Sequence, residues 1–352
     1  MTATSGRAPV RERLPTLEDV ARVAGVSRAT VSRVINGIRN VDPQLHKMVW
    51  DAVDRTGYVP NRLARSLVTR RTGTIALVVS DSESHDDDPF MSRFFADPYF
   101  GRVVGGLMSV LRAAGIQLAL QIVGTEQQRT RLVGDLRHGQ ADGVVVLSLP
   151  GQDPLPRMLT DAGVPAVMIG RPAEPVPINY VDLANDTGAC LAADHLVGRG
   201  CQLVGMISGP ADVPASSDRI AGFRRSMARH GHGWVPQATG NFTQESGERA
   251  MRDLLTAHPG LDGVFVANDL MALGALLALR DAGRDVPGDV AVVGFDDSSA
   301  AVAANPALTT IRHPLEDMAA EAARLLMTRI DDETMRVSSV IYEPTLVLRQ
   351  SA

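Results

Sequence analysis

The sequence predicts an all-α head, carrying a helix-turn-helix and a short hinge helix, joined to an α/β core of two lobes built on parallel sheets. Three observations point there. Between Leu17 and Leu67 apolar residues recur at helical spacing in three short runs, broken by Gly25, Asp42-Pro43 and Gly57. From Thr74 onward, short Val-rich segments alternate with amphipathic stretches of helical length. Charge divides at the same place: residues 1–72 hold 13 Lys and Arg against 6 Asp and Glu, so a chain of net charge −5 has a head at +7 and a remainder at −12. A cationic end on an acidic body suits a polyanion bound at that end alone.

In the head, Thr16 stands three residues before Asp19, the spacing of a capping box. Leu17, Val20, Ala21 and Ala24 then share one helical face. Gly25 supplies a tight turn, and Ser27 can cap a second helix whose Val31, Val34 and Ile35 point to the same small core. Arg28, Ala29, Thr30, Ser32, Arg33 and Asn36 are left outward. Small and hydrogen-bonding side chains at the start of a second helix are what a helix lying in a DNA major groove needs, because they admit close approach and offer donors to base edges. Asp42 and Pro43 open a third helix, running to about Thr56 with Leu45, Val49 and Val53 inward, and Gly57 ends it. After Tyr58-Val59-Pro60, Asn61 can cap one or two turns from Arg62 to Val68, too short to be stable alone in water. The chain therefore divides into a flexible basic arm over 1–15, a helix-turn-helix domain over 16–60, a hinge helix and linker over 61–72, and a core over 73–352.

The core reads as strands at TIALVVS, IQLALQIV, DGVVVLS, PAVMIG, LVGMIS, GVFVAN and VAVVGF. Helices lie near 99–114, 126–138, 153–162, 185–199, 217–230, 244–258, 269–282 and 315–330. Alternation of this kind predicts parallel sheets with right-handed crossovers. There are too many strands for one compact half, and breaks near 178–182 and 296–306 suggest two lobes that exchange the chain more than once. Ligands of such sheets sit beyond the carboxyl ends of strands, in the cleft between lobes. The residues there are Asp97-Pro98-Tyr99-Phe100, Gly170-Arg171, Ser217-Asp218-Arg219, Asn268-Asp269 and Asp296-Asp297. Arginine and aspartate with an aromatic wall fit a small polyhydroxylated or heterocyclic ligand. Asn268 can also serve as a helix cap, and Asp297 reads as structural.

Other chemistries find no support. The P-loop, the strand-linked G-x-G-x-x-G, the G-x-S-x-G elbow and H-E-x-x-H are all missing, so neither cofactor nor metal is expected. Asp86-Asp87-Asp88 beside His85 lacks the spaced oxygen ligands of a cation loop and reads as a solvated insertion. Cys190 and Cys201 have no metal-ligand spacing and read as reduced thiols. With no apolar leader and no membrane-length run, a cytoplasmic protein without membrane contact is expected.

The run T-L-E-D-V-A-R-x-A-G-V-S-x-x-T-V-S-R-V-x-N-G from Thr16, followed by G-Y-x-P-N-R-x-A-R-S-L from Gly57, resembles the DNA-binding headpiece of the lactose/galactose repressor family (LacI/GalR). The resemblance extends over about residues 15–350. It implies a core shaped like the periplasmic sugar-binding proteins and a ligand-responsive transcriptional regulator, a repressor acting as a homodimer on a pseudopalindromic double-stranded operator. DNA contacts would come from Thr16, Leu17, Ser27, Arg28, Ala29, Thr30, Ser32, Arg33, Asn36, Tyr58, Asn61, Arg62, Ala64, Arg65 and Leu67, the last wedged into a minor-groove base step. A small-molecule effector would meet Tyr99, Arg171, Arg219, Phe242, Asn268 and Asp296. Family patterns often carry Asp where Gly170 stands, a departure that counts against a simple hexose. The competing readings are a solute-binding receptor, which the missing signal peptide and attached headpiece oppose, and an α/β sugar-modifying enzyme, for which the motifs pair no nucleophile with a base.

Overall fold

The computed structural model describes residues 13, 15–35, 41–58, 71–81, 97–148, 151–332 and 334–352. It falls into two compact units, Met1–Thr72 and Gly73–Ala352. In the first unit, helices α1 (Leu17–Ala24), α2 (Arg28–Ile35) and α3 (Pro43–Thr56) enclose a core of Val20, Ala24, Val31, Val34, Val49 and Val53. The ends form as the sequence dictates. Thr16 and Asp19 make a reciprocal capping box, Gly25 and Gly57 turn the chain with φ of 67° and 64°, and Asp42 caps α3 ahead of Pro43. The segment from Asn61 to Val68 expected to form the hinge, with Leu67 as its expected wedge, and the acidic run at 86–88 lie outside the described residues.

The second unit holds two six-stranded sheets. Sheet one runs in the order β11-β5-β4-β3-β1-β2, with β1 Thr74–Ser80, β2 Gln117–Val123, β3 Gly143–Ser148, β4 Ala166–Ile169, β5 Asn179–Leu183 and β11 Ser339–Tyr342. Sheet two runs β12-β10-β9-β8-β6-β7, with β6 Val204–Ser208, β7 Gln237–Thr239, β8 Gly263–Val266, β9 Ala291–Asp296, β10 Thr309–Arg312 and β12 Thr345–Val347. All pairings are parallel except β10 with β12. Helices α4 (Pro98–Leu111), α5 (Glu126–Arg137), α6 (Leu155–Asp161) and α12 (Leu315–Asp331) belong with sheet one. Helices α7 (Asn185–Gly198), α8 (Pro214–Arg229), α9 (Gln244–Ala257), α10 (Asp269–Asp281) and α11 (Ser299–Ala303) belong with sheet two.

Two expectations need correction. Residues 179–183 are not a break: they form β5, still in sheet one, and the chain crosses to the second lobe only after Leu183. The return crossing falls between Arg312 and Leu315 rather than at 296–306, and a third follows Tyr342. Strands β5, β7, β10, β11 and β12 are each five residues or fewer and several are polar, so no apolar run announces them.

Helices α7 and α8 pack so closely that a Cβ on Gly222 would overlap the backbone carbonyl of Asp186. Gly222 lies one turn beyond Arg219 on α8, so this contact sets how deep that arginine sits. Gly222→Ala should cost about 1–3 kcal/mol of core stability by overpacking, read as a lowered denaturant midpoint of the full chain. An unchanged midpoint would show that the two helices can part freely.

Candidate nucleic-acid interface and ligand cleft

In the first unit, helix α2 turns Ser27, Arg28, Ala29 and Arg33 to solvent, with Thr30 and Ser32 half-buried. Ser27 Oγ accepts the Thr30 N–H at 3.1 Å and lies 2.9 Å from the Thr30 hydroxyl, so both hydroxyls sit at the first turn of α2. Arg28 reaches Glu18 on α1 at 3.1 Å, and Arg33 Nε donates to the Ala29 carbonyl at 3.4 Å. Both contacts are exposed and cost little to give up in water. Thr16 is committed to its cap, while Leu17 and Tyr58 are half-buried against the three-helix core. Asn36, Asn61, Arg62, Ala64, Arg65 and Leu67 lie outside the described residues.

In the second unit a cluster forms where strands of both lobes end. Arg219, 6% exposed, sits at its centre in the second turn of α8, which begins at Pro214 rather than 217. Its Nε donates to Asn185 Oδ1 at 2.9 Å and Nη1 to the Ala267 carbonyl at 2.5 Å; Nη2 lies 3.9 Å from Asp296 Oδ1. The guanidinium carbon stands 3.6 Å over the Phe295 ring. Burial lowers the arginine's pKa, and the carboxylates of Asp296, Asp182 and Asp269 oppose that shift.

Asp296 closes β9 with φ of 112° and Asp297 follows at 50°. Such backbone costs on the order of 1–3 kcal/mol per residue and persists only when neighbours fix it. Asp297 is fixed by Arg312 at 2.8 Å and Arg349 at 2.5 Å, which makes it structural, as its sequence position suggested. Asp296 Oδ1 meets the buried His313 Nδ1 at 3.3 Å. Burial pushes the His313 pKa down, and the Asp296 carboxylate beside it opposes that shift. Asn268 both caps α10, accepting the Met271 N–H at 3.0 Å, and donates to the Phe242 carbonyl at 3.0 Å. Phe242 itself has φ of 70°, and its ring lies over Gly209 at the end of β6. Asn268 therefore holds the wall residue in place.

The first lobe contributes Asp97, Tyr99 and Asp182. Asp97 caps α4 by accepting the Tyr99 N–H at 2.9 Å, and the Tyr99 ring tilts against His313 with centroids 6.1 Å apart. Burial raises the Tyr99 pKa, and the Asp296 carboxylate adds to it. Asp97, Tyr99, Arg102, Asn268, Asp296 and Ser298 border one crevice of about 10 Å³, room for a single water molecule. Arg171 does not border this crevice, though its charge and backbone act on Asp182. Its Nε and Nη2 pair with Asp218 of α8 at 3.0 and 2.7 Å, an ion pair from one lobe to the other, and Gly170 before it has φ of 88°.

Sequence reasoning therefore missed Asp97, Asp182, Asn185, Phe295 and His313 as members of the cluster. Asp97 was visible beside Tyr99 but reads as a cap, Asp182 fell in the supposed break, and His313 follows a strand too short to detect.

The family model for bacterial regulatory proteins of the LacI family matches residues 16–61, and that for a periplasmic binding protein-like domain matches 193–352. Over 346 residues the chain is 44% identical to the HTH-type transcriptional regulator CelR of Thermobifida fusca, covering 97% of this chain and 99% of that one. The chain belongs to the LacI family. It is a helix-turn-helix transcriptional regulator with a periplasmic-binding-protein-like core. The structure of a CelR–cellobiose complex superposes with a TM-score of 0.74 at 42% identity, covering 96% of this chain and all of that one. The lac repressor dimer bound to operator and the anti-inducer ONPF gives 0.80 at 26% identity, over 96% and 99%. Among the described residues of this LacI-family chain, no helix is long and apolar enough to cross a membrane.

Asp97 gives the cluster a pH signature. Desolvation first, then the carboxylate of Asp296, raises its pKa from 3.8 to about 6. The folded state thus binds this proton more tightly than the unfolded one, so stability falls as pH rises from 3.8 to about 6 and the loss is complete above that. Asp97→Asn keeps the cap and removes the titration. It should flatten the pH dependence of the melting temperature in that window and raise stability at pH 7 by up to about 3 kcal/mol. A variant no more stable than its parent at pH 7 would contradict the burial of this carboxyl.

Proposed function

We propose that this LacI-family regulator is a homodimeric repressor whose hold on a pseudopalindromic operator is released when a small neutral saccharide binds between the lobes of its core. The observation that carries this reading is the convergence of the carboxylates of Asp97 and Asp296, the amide of Asn268 and the phenol of Tyr99 on one crevice, with the buried guanidinium of Arg219 behind it, 3.9 Å from Asp296. Acceptors outnumber free cations there, so a ligand rich in hydroxyl donors is favoured over an anion. Tyr99 and Phe242 would pack the apolar faces of sugar rings, and Arg219 and Asp296 would bind adjacent hydroxyls. Cellobiose, bound by the CelR relative, is the first candidate, and a disaccharide agrees with the missing Asp at Gly170.

The residues of the cluster come from both lobes, so a sugar held by them would touch both. Ligand binding is thereby coupled to lobe geometry, and the shift in operator affinity equals the ligand's preference for one geometry over the other. Arg171 would act at the rim. In the head, Ser27, Arg28, Ala29, Thr30, Ser32 and Arg33 would face the major groove, and the hinge residues through Leu67 the minor groove. For the dimer, the second lobe offers a groove lined by Leu273, Leu276, Leu277, Ala303 and Ala304, beside an exposed Val302. A symmetric pairing there would give two heads to two half-sites. The CelR and GalR relatives, matched over 97% and 96% of this chain, are transcriptional regulators.

A fluorescent operator, found by selection from random duplexes and titrated with the chain at fixed salt, tests this directly. Cellobiose should weaken binding in the parent and leave operator binding by Arg219→Ala unchanged; equal responses in both would remove Arg219 from the effector site. Ala29→Glu, which sets a carboxylate on the exposed face of α2, should lower operator affinity at least about tenfold without changing the melting temperature. Retained binding would move the reading surface elsewhere.

A further inference from the structure

The backbone turn that presents Asp296 needs an external hold, and it comes from the opposite lobe. Arg102 lies in the second turn of α4, packed on sheet one, with a side chain 17% exposed. Its Nη1 donates to the Asp296 carbonyl at 2.9 Å and its Nη2 to the His313 carbonyl at 2.7 Å. The remaining face of the guanidinium is filled by Glu316 at the start of α12, with Nε to Oε1 and Nη2 to Oε2 both at 2.7 Å. The His313 N–H also returns to the Asp296 carbonyl, at 3.4 Å. Two peptide carbonyls, one at the end of β9 and one in the crossing that follows β10, are thus pinned by one planar fork whose own orientation is set by a bidentate carboxylate.

We propose that Arg102 is a positioning residue for effector recognition: from the first lobe it fixes the peptide groups of Asp296 and His313, and so aims the Asp296 carboxylate at Arg219 and the crevice. The recognition role rests on the assignment of Asp296 to the effector site. The geometry needs a guanidinium, since an ammonium serves the two carbonyls and the carboxylate without a fixed plane. The same bonds make this arginine a tie between the lobes at the crossing, so the aim of Asp296 depends on the lobe that does not contain it.

The test uses the full-length chain with histidine rings labelled with nitrogen-15. Asp296→Asn marks where the His313 Nδ1 resonance goes when its carboxylate partner is lost. Arg102→Gln should move that resonance to the same place, and Arg102→Lys part of the way. Glu316→Gln, which leaves the two carbonyl bonds standing, should move it less than either. A resonance unmoved in Arg102→Gln overturns the proposal, and Arg102→Lys decides the point if the glutamine variant fails to fold. Calorimetry with cellobiose then reads the recognition role. Arg102→Gln should weaken binding about tenfold, and the double variant with Asp296→Asn should bind no worse than Asp296→Asn alone. Losses that multiply would mean Arg102 acts by another route. If Asp296→Asn itself bound cellobiose like the parent, the effector-site assignment would fall and the recognition role with it, while the resonance would still decide whether Arg102 positions Asp296.

Discussion

A guanidinium sealed from water must be ringed by acceptors, and the arrangement around Arg219 follows from that requirement. The cost of burying the charge unpaired would exceed the stability of most domains, so the fold brings it an amide oxygen, a backbone carbonyl, a carboxylate and an aromatic face. Each acceptor comes from a different element: Asn185 from the start of α7, Ala267 from the end of β8, Asp296 from the end of β9. The ends of these elements are therefore held in register by one side chain on α8. The contact of Gly222 with Asp186 keeps α8 close enough for that reach.

The topology explains why this arrangement sits between lobes. Three chain crossings, after Leu183, Arg312 and Tyr342, lie side by side at the carboxyl ends of both sheets. Residues next to a crossing are tied to both lobes, so His313 and Asp296 feel the first lobe through Arg102 while belonging to the second. Farther from the crossings the lobes meet through side chains, as in the half-exposed pair Arg171–Asp218, which costs little to open. A ligand that changes the angle at the crossings would change the whole core, and on the proposed function that angle is what the head responds to.

The head was the most legible part of the chain. Its caps, turns and core positions follow local rules, and Thr16, Asp42, Gly25 and Gly57 do what their identities require. The long helices of the core were also visible, because most carry an apolar face over three or more turns. The short strands were not: β10 and β11 are four residues each, and β5 carries Asn179 and Asp182 among its five. Without them the crossings were misplaced, and His313 and Asp182, which owe their position to a crossing, could not be associated with Arg219 and Asp296. Arg102 illustrates the same limit. Nothing local distinguishes an arginine in an amphipathic helix from a solvated one, and its partners are about two hundred positions away.

The most direct measurement is a crystal structure of the chain grown with a saccharide that shifts operator affinity in solution. The account expects density for the sugar between the lobes, with hydroxyls on Arg219 and Asp296, a ring against Tyr99 or Phe242, and the lobes reset about the three crossings. Density anywhere else, with the cluster around Arg219 unchanged from that described above, would contradict it.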